Sequence, residues 1–368
     1  MNIKILIAVA DYPDNKGKVT LMYIHTRNLY YVTKGIEVVV LNFKTNEDYV
    51  KDGIKVISLR TYQEHKEKYD ILILHAANIR NHYLFLKKYE KNFRRLIFFY
   101  HGHEVLRCNK VYSKPYPYVR TNKIKELIQD IYDTFKLNIW RYYLPKVVKK
   151  SHFIFVSGWM KEEFHKWTRI KESIIEGHWS ITYNSIGEEF EKEKFDSLIL
   201  KEFDFCTIRN NLDGSKYSID IVNKLAQQTP KRKFVVVGKG EFFNHNIKAP
   251  NITWINKTMN HSEIINLLQK SRFALMPTRT DSQGLMMCEM AAFGIPLITS
   301  NIPVCHEIFE DFENVYLIDN NKCNSLSWVN NEMCVCKKHN KYYQNITVEN
   351  EWQLIKDVIN DENVNKKK

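Results

Sequence analysis

Short apolar runs, several of them hydrophobic at every position, alternate along this chain with stretches whose apolar residues recur at helical spacing. A strand that is apolar on both faces has to be covered on both, and helices crossing back between parallel strands do that. Runs at 3–10, 37–43, 54–58, 71–74, 96–100 and 153–157 read as strands of a first series. Between the last two, Ile124, Leu127, Ile128, Ile131 and Phe135 form one stripe of a helix. The rhythm then restarts with a strand at 204–208, and Ile219, Val222, Leu225 and Ala226 mark the next helix. A strand at 234–237 runs into Gly238-Lys239-Gly240, followed by a strand at 252–255 and a helix at 263–269. A strand at 273–276, a helix at 284–293 and a strand at 295–300 complete the series. The charged stretch 188–201 separates the two. The expected architecture is α/β: two doubly wound Rossmann-like domains, 1–185 and 186–350, then a C-terminal helix and tail at 351–368. Ligands would occupy a central cleft, at the carboxyl ends of the strands.

Composition narrows the classes. Aromatic residues make up 13% of the 368 positions, too many for a disordered chain. No apolar run approaches the ~18 residues of a spanning helix, and the N-terminus carries no charged leader. A cytoplasmic protein is therefore expected. The seven cysteines, an odd number spread along the chain, fit reduced thiols better than a disulfide framework. Cys323, Cys334, Cys336 and His339 are near one another, but their spacing matches no usual zinc pattern. No metal is expected. The charge is lopsided: residues 1–180 carry 32 basic and 18 acidic side chains, net +14, and residues 181–368 carry 23 and 24, net −1. Such a basic half suits an anionic lipid surface or nucleic acid, and it equally describes a solvated face.

The chemistry is concentrated at 276–296. A strand ends at Pro277, a polar loop follows, and Gly284 opens a helix that Gly294 closes. Backbone N–H groups at Gln283, Gly284 and Leu285 would be free for an anion at the positive end of the helix dipole. Asp281 stands on the loop and Glu289 lies inside the helix. Two carboxylates flanking an anion site suit a ligand with phosphates in the middle and hydroxyl-bearing sugars at either end. Asp281 could equally be a helix cap. His101-Gly102-His103-Glu104 reads as a metal-ligand fragment, as a structural histidine or as a sugar-facing side chain.

The D-x7-E spacing of Asp281 and Glu289, with Gly284-Leu285 between and Ala291 to Pro296 after, resembles the E-x7-E signature of retaining glycosyltransferase family 4. These are GT-B enzymes that use nucleotide sugars without a metal. Arg209 and Lys216 after the strand at 204–208, Val237-Gly238-Lys239-Gly240, Asn184-Ser185-Ile186 and Phe155-Val156-Ser157 resemble further family motifs. Asp281 replaces the usual Glu, Arg209 follows Ile208 rather than Gly, and the first loop has the single Gly17.

The resemblance implies that Arg209 and Lys216 neutralise the donor diphosphate and that Glu289 holds the ribose hydroxyls. Asp281 would hold the donor sugar, with His101 near its reacting carbon. Gly17, Gly238, Gly240, Gln283, Gly284 and Leu285 would border the donor. It implies a hexosyltransferase of the bacterial surface-polysaccharide type (capsule or lipopolysaccharide), peripheral at the inner face of the membrane. A nucleotide sugar, UDP-linked foremost, is the donor, a glycan or lipid-linked molecule the acceptor, with no cofactor and no nucleic-acid partner. A non-catalytic GT-B partner subunit, a nucleotide-sugar epimerase and a basic nucleic-acid-binding protein are the competing readings.

Overall fold

A computed structural model describes residues 3–18, 20–65, 67–330, 333 and 336–360. The chain divides into two compact units. One comprises Met1–Arg107, Asp130–Asn184 and Thr347–Lys368; the other comprises Cys108–Gln129 and Ser185–Ile346.

The first unit holds strands β1 (Lys4–Val9), β2 (Glu37–Asn42), β3 (Tyr49–Lys51), β4 (Ile54–Ile57), β5 (Ile71–His75), β6 (Arg95–Tyr100), β7 (Ser151–Phe155) and β8 (Trp179–Ile181). They form one sheet in the order β3-β4-β2-β1-β5-β6-β7-β8, parallel except for the β3–β4 pair. β2, β5, β6 and β7 are each buried at nearly every position, which is why their sequences read as continuous apolar runs. β3 and β8 are three residues each and only partly buried, and they leave no such signature. Helix α1 (Met22–Thr33) packs Ile24 and Tyr31 against the sheet.

Helix α2 (Lys123–Val147) is counted with the second unit up to Gln129 and with the first from Asp130 on, and it buries Leu137, Trp140, Leu144 and Val147 together with Asp133 and Lys136. The apolar stripe from Ile124 to Phe135 is not part of that face: its five side chains are 58–66% exposed. Amphipathic spacing marks a stripe but does not say what covers it.

The second unit holds β9 (Phe203–Asn211), β10 (Phe234–Lys239), β11 (Ile252–Ile255), β12 (Ser271–Met276), β13 (Leu297–Ser300) and β14 (Val315–Ile318), all parallel, in the order β11-β10-β9-β12-β13-β14. Helix α3 (Ile219–Gln227) buries the stripe read from the sequence. Helix α4 (His261–Gln269) starts at an Asn260–Glu263 capping box, and α5 (Leu285–Phe293) lies between Gly284 and Gly294, both left-handed. Residues 108–129 lend Tyr116 to this core. The last helix, α6 (Gln344–Asn360), packs Val348, Trp352, Ile355 and Ile359 into the core of the first unit.

The fold is thus the expected α/β class, with two parallel-sheet Rossmann-like domains. Among the described residues no helix is long and apolar enough to cross a membrane. The described cysteines are free thiols, Cys206, Cys288 and Cys305 buried among them; Cys334 lies outside the described residues.

Candidate active site

In the second sheet the chain leaves β9 toward one edge and returns at β12 toward the other. A crevice opens at the carboxyl ends of two such neighbouring strands. Arg209 sits there, near the end of β9 and only 7% exposed. Its Nη2 donates to the carbonyls of Pro277 (2.8 Å) and Met276 (3.3 Å), at the end of β12. Its Nε has no hydrogen-bond partner, and the guanidinium lies 5.0 Å from the Tyr217 ring centre. Burial pushes its pKa below the usual arginine value, with the charge of Asp281 opposing.

Lys216 is in the short turn Ser215–Tyr217, its Nζ 4.7 Å from the Tyr217 ring and 5.6 Å from that of Tyr112. Its carbonyl accepts hydrogen bonds from Arg279 N–H (2.9 Å) and Thr278 Oγ1 (3.0 Å). Arg279 in turn donates to the Ser215 carbonyl (2.6 Å) and to both carboxylate oxygens of Asp220 (2.9 and 2.5 Å). The loop after β12 is therefore tied to the start of α3 by a bidentate Arg–carboxylate pair, and to the loop after β9 through the Ser215 and Lys216 carbonyls. The sequence offered no sign of this pair, because its two members are 59 positions apart.

The loop before α5 departs from the sequence reading. The sequence leaves the N–H groups of Gln283 and Gly284 free for an anion, but Asp281 Oδ1 accepts from Gly284 (2.9 Å), from Ser282 (2.8 Å) and more distantly from Gln283 (3.4 Å). A short acidic side chain ahead of a helix satisfies the nearest orphan donors itself. The Gln283 side chain is buried, its Nε2 4.0 Å from Cys288 Sγ. Gly284 holds φ +59°, and Leu285, half-buried, is the first residue of α5.

Glu289, inside α5, is 2% exposed. Its Oε1 accepts from Gly187 N–H (3.1 Å) and lies 3.7 Å from His261 Nε2. Burial pushes its pKa up to about 7 against the opposing influence of His261. Neither Gly187 nor His261 was singled out from the sequence, since both come from elements remote along the chain.

Gly238 and Gly240 have a packing role. A Cβ on Gly238, at φ +149°, would collide with the Arg209 carbonyl oxygen, and one on Gly240 would press on the Asp213 carboxylate. Their bareness lets the turn after β10 close on the loop that follows Arg209.

His101 and Gly17 belong to the first unit. His101 follows β6; its Nε2 is 3.1 Å from Nδ1 of buried His75, the last residue of β5. The Glu104 carboxylate accepts from the backbone N–H groups of His101 and Gly102. Burial, with Arg27 adding to it, pushes the His101 pKa down to about 3, so the imidazole is neutral at physiological pH. Gly17 is exposed at φ +94°, with nothing within 4 Å of where a Cβ would stand. Among the described residues no group of three or more His, Cys, Asp or Glu side chains is arranged to hold a metal.

Residues 190–347 match the family model of glycosyl transferases group 1. The second unit therefore carries a glycosyltransferase domain, and glycosyltransferase is the enzyme class of the chain. No curated protein matches in sequence. Solved structures similar to the chain include sucrose-phosphate synthase from Thermosynechococcus elongatus, 12% identical over 98% of this chain and 100% of that one, with a TM-score of 0.72. A glycosyltransferase from Rickettsia africae is 12% identical over 97% and 99% of the two chains, TM-score 0.67. HepE of Anabaena, solved with UDP and glucose, is 13% identical over 99% of each, TM-score 0.60. At these identities the likeness establishes the fold, which is GT-B.

Proposed function

We propose that the chain is a retaining, metal-independent hexosyltransferase of the family 4 type, moving a sugar from a nucleotide donor, UDP-linked foremost, to a glycan or lipid-linked acceptor. The observation that carries the donor site is Arg209. It is a buried cation at the switch point between β9 and β12, and its hydrogen bonds run to two carbonyl oxygens. A buried cation whose hydrogen bonds go only to carbonyls is costly, and a diphosphate would offset that cost with a bonded counter-charge.

In this reading Arg209 and Lys216 hold the diphosphate, and Glu289 accepts hydrogen bonds from the ribose. Negative charge builds on the leaving nucleotide in the transition state, so cations fixed in advance there lower the barrier. Asp281 fixes the loop before α5 through Oδ1 and contacts the donor sugar. In the same reading His101, whose imidazole is neutral, is the residue that contacts the donor sugar near its reacting carbon. The incoming hydroxyl attacks from the face the phosphate leaves, and the phosphate takes its proton, which preserves the anomeric configuration. The setting is cell-surface polysaccharide synthesis, capsule or lipopolysaccharide, peripheral to the cytoplasmic face of the membrane. The +14 against −1 charge split supports that setting.

Thermal shift against a panel of nucleoside diphosphates and nucleotide sugars, without metal, tests it. A ligand at a hundred times its dissociation constant adds roughly 2.7 kcal/mol. Stabilisation by one nucleotide family, lost in Glu289→Ala, is the expected result; no shift with any member of the panel would sink the transferase reading.

A further inference from the structure

Large apolar side chains left in water are concentrated on one element. Ile124, Leu127, Ile128, Ile131 and Phe135 lie at i, i+3, i+4, i+7 and i+11 of α2, one continuous stripe, each 58–66% exposed. Tyr142, seven residues further, extends it at 66%. The opposite face of α2 is already spent on the core, so this stripe is surplus to folding. Contiguous exposed apolar surface of this kind marks an interaction site.

Charge indicates what covers it. Arg120, Lys123 and Lys125 are exposed at the start of the helix, and Lys146 and Lys149 at its end. Of the acids on the helix, Glu126 is exposed, Asp130 is half-buried, and Asp133 is buried and paired with Lys136 at 2.7 Å. An apolar stripe with cations at both ends matches an interface of acyl chains beneath anionic head groups. A second copy fits poorly: with both ends basic, pairing two stripes in either direction sets like charges against each other.

We infer that the Ile124–Phe135 face of α2 docks this protein on a membrane surface rich in anionic phospholipid. The inference rests on the peripheral-membrane part of the function proposed above and gives that part an address.

Co-sedimentation with phosphatidylglycerol–phosphatidylcholine vesicles, against pure phosphatidylcholine, tests it. The wild type should bind the anionic vesicles, more weakly as salt rises. Ile128→Glu combined with Ile131→Glu should lower binding at least about tenfold. Lys123→Gln with Lys125→Gln should lower it and flatten the salt dependence. Ile247→Glu, the same change at an 87% exposed site outside α2, should leave it unchanged. All of these positions are exposed, and unaltered circular dichroism confirms folding. Absence of binding by the wild type overturns both the docking face and the membrane setting, while the nucleotide thermal shift still judges the transferase on its own. Equal binding by the Ile128/Ile131 variant overturns the face and keeps the setting. A concentration-dependent dimer broken by that variant, with vesicle binding intact, would give the stripe to a second copy and overturn the inference.

Discussion

At the scale of single residues, Arg209 separates a functional from a structural role. A buried guanidinium bonded to carbonyls contributes little to the empty fold, because its desolvation offsets what it gains. Arg209→Met should therefore leave urea stability nearly unchanged or raise it. The same variant should lose nucleotide stabilisation and drop kcat/KM by about 10²–10³, as removal of a transition-state donor does. A purely structural arginine would show the reverse pattern. Glu289 makes a pH prediction. Its folded pKa, about 7, lies above the ordinary 4.5, so the folded state holds a proton that the unfolded state releases. Stability from this group is full below about pH 4.5 and fades as pH rises to about 7, by roughly 3 kcal/mol. Buried His75, His82 and His152, with half-buried His101, are all depressed and act with the opposite sign, losing stability as pH falls below about 6.5. The difference between wild type and Glu289→Gln in urea unfolding from pH 5 to 8 isolates the carboxyl. A flat difference would show that it ionises normally.

At the scale of elements, the turn after β10 and the loop after β1 ask different things of glycine. Gly238→Ala drives a Cβ into the Arg209 backbone, where nothing can move aside, in addition to the strain of its positive φ. We expect it to cost more than about 3 kcal/mol and to weaken nucleotide binding through displaced Arg209. Gly17→Ala meets open space and should cost only about 1 kcal/mol, from φ alone. Chemical denaturation of the two variants side by side checks the contrast. Most of these elements were legible beforehand because buried parallel strands are apolar throughout. α1 was not: among its buried residues are His25, Arg27 and Asn28, so its inward face reads as polar. Asp281 shows the same limit in the site. Its spacing to Glu289 was readable, whereas its capture of the Gly284 N–H depends on how the loop turns.

At the scale of the molecule, the C-terminal helix is part of the first unit. Arg27 and Glu351 are both fully buried, Nε to Oε2 at 3.0 Å, and Tyr31 donates to the other carboxylate oxygen. They are 324 positions apart. Removing one partner strands the other charge, so Arg27→Met or Glu351→Leu alone should cost about 3–5 kcal/mol. The double substitution should recover most of that, a non-additivity that a urea double-mutant cycle reads directly. Additive losses would mean the pair does not interact as drawn.

The sequence by itself determined the α/β class, the parallel strands and the residues from which a donor site could be made, because periodicity and local spacing are properties of neighbours along the chain. Tertiary structure decided which of those residues meet. It bound Arg279 to Asp220, buried Glu289 beside Gly187 and His261, joined His75 to His101, and left the stripe of α2 uncovered. Those outcomes rest on contacts between elements far apart in the chain, and on burial, which shifts a proton or strands a charge only once the fold has removed water from around it.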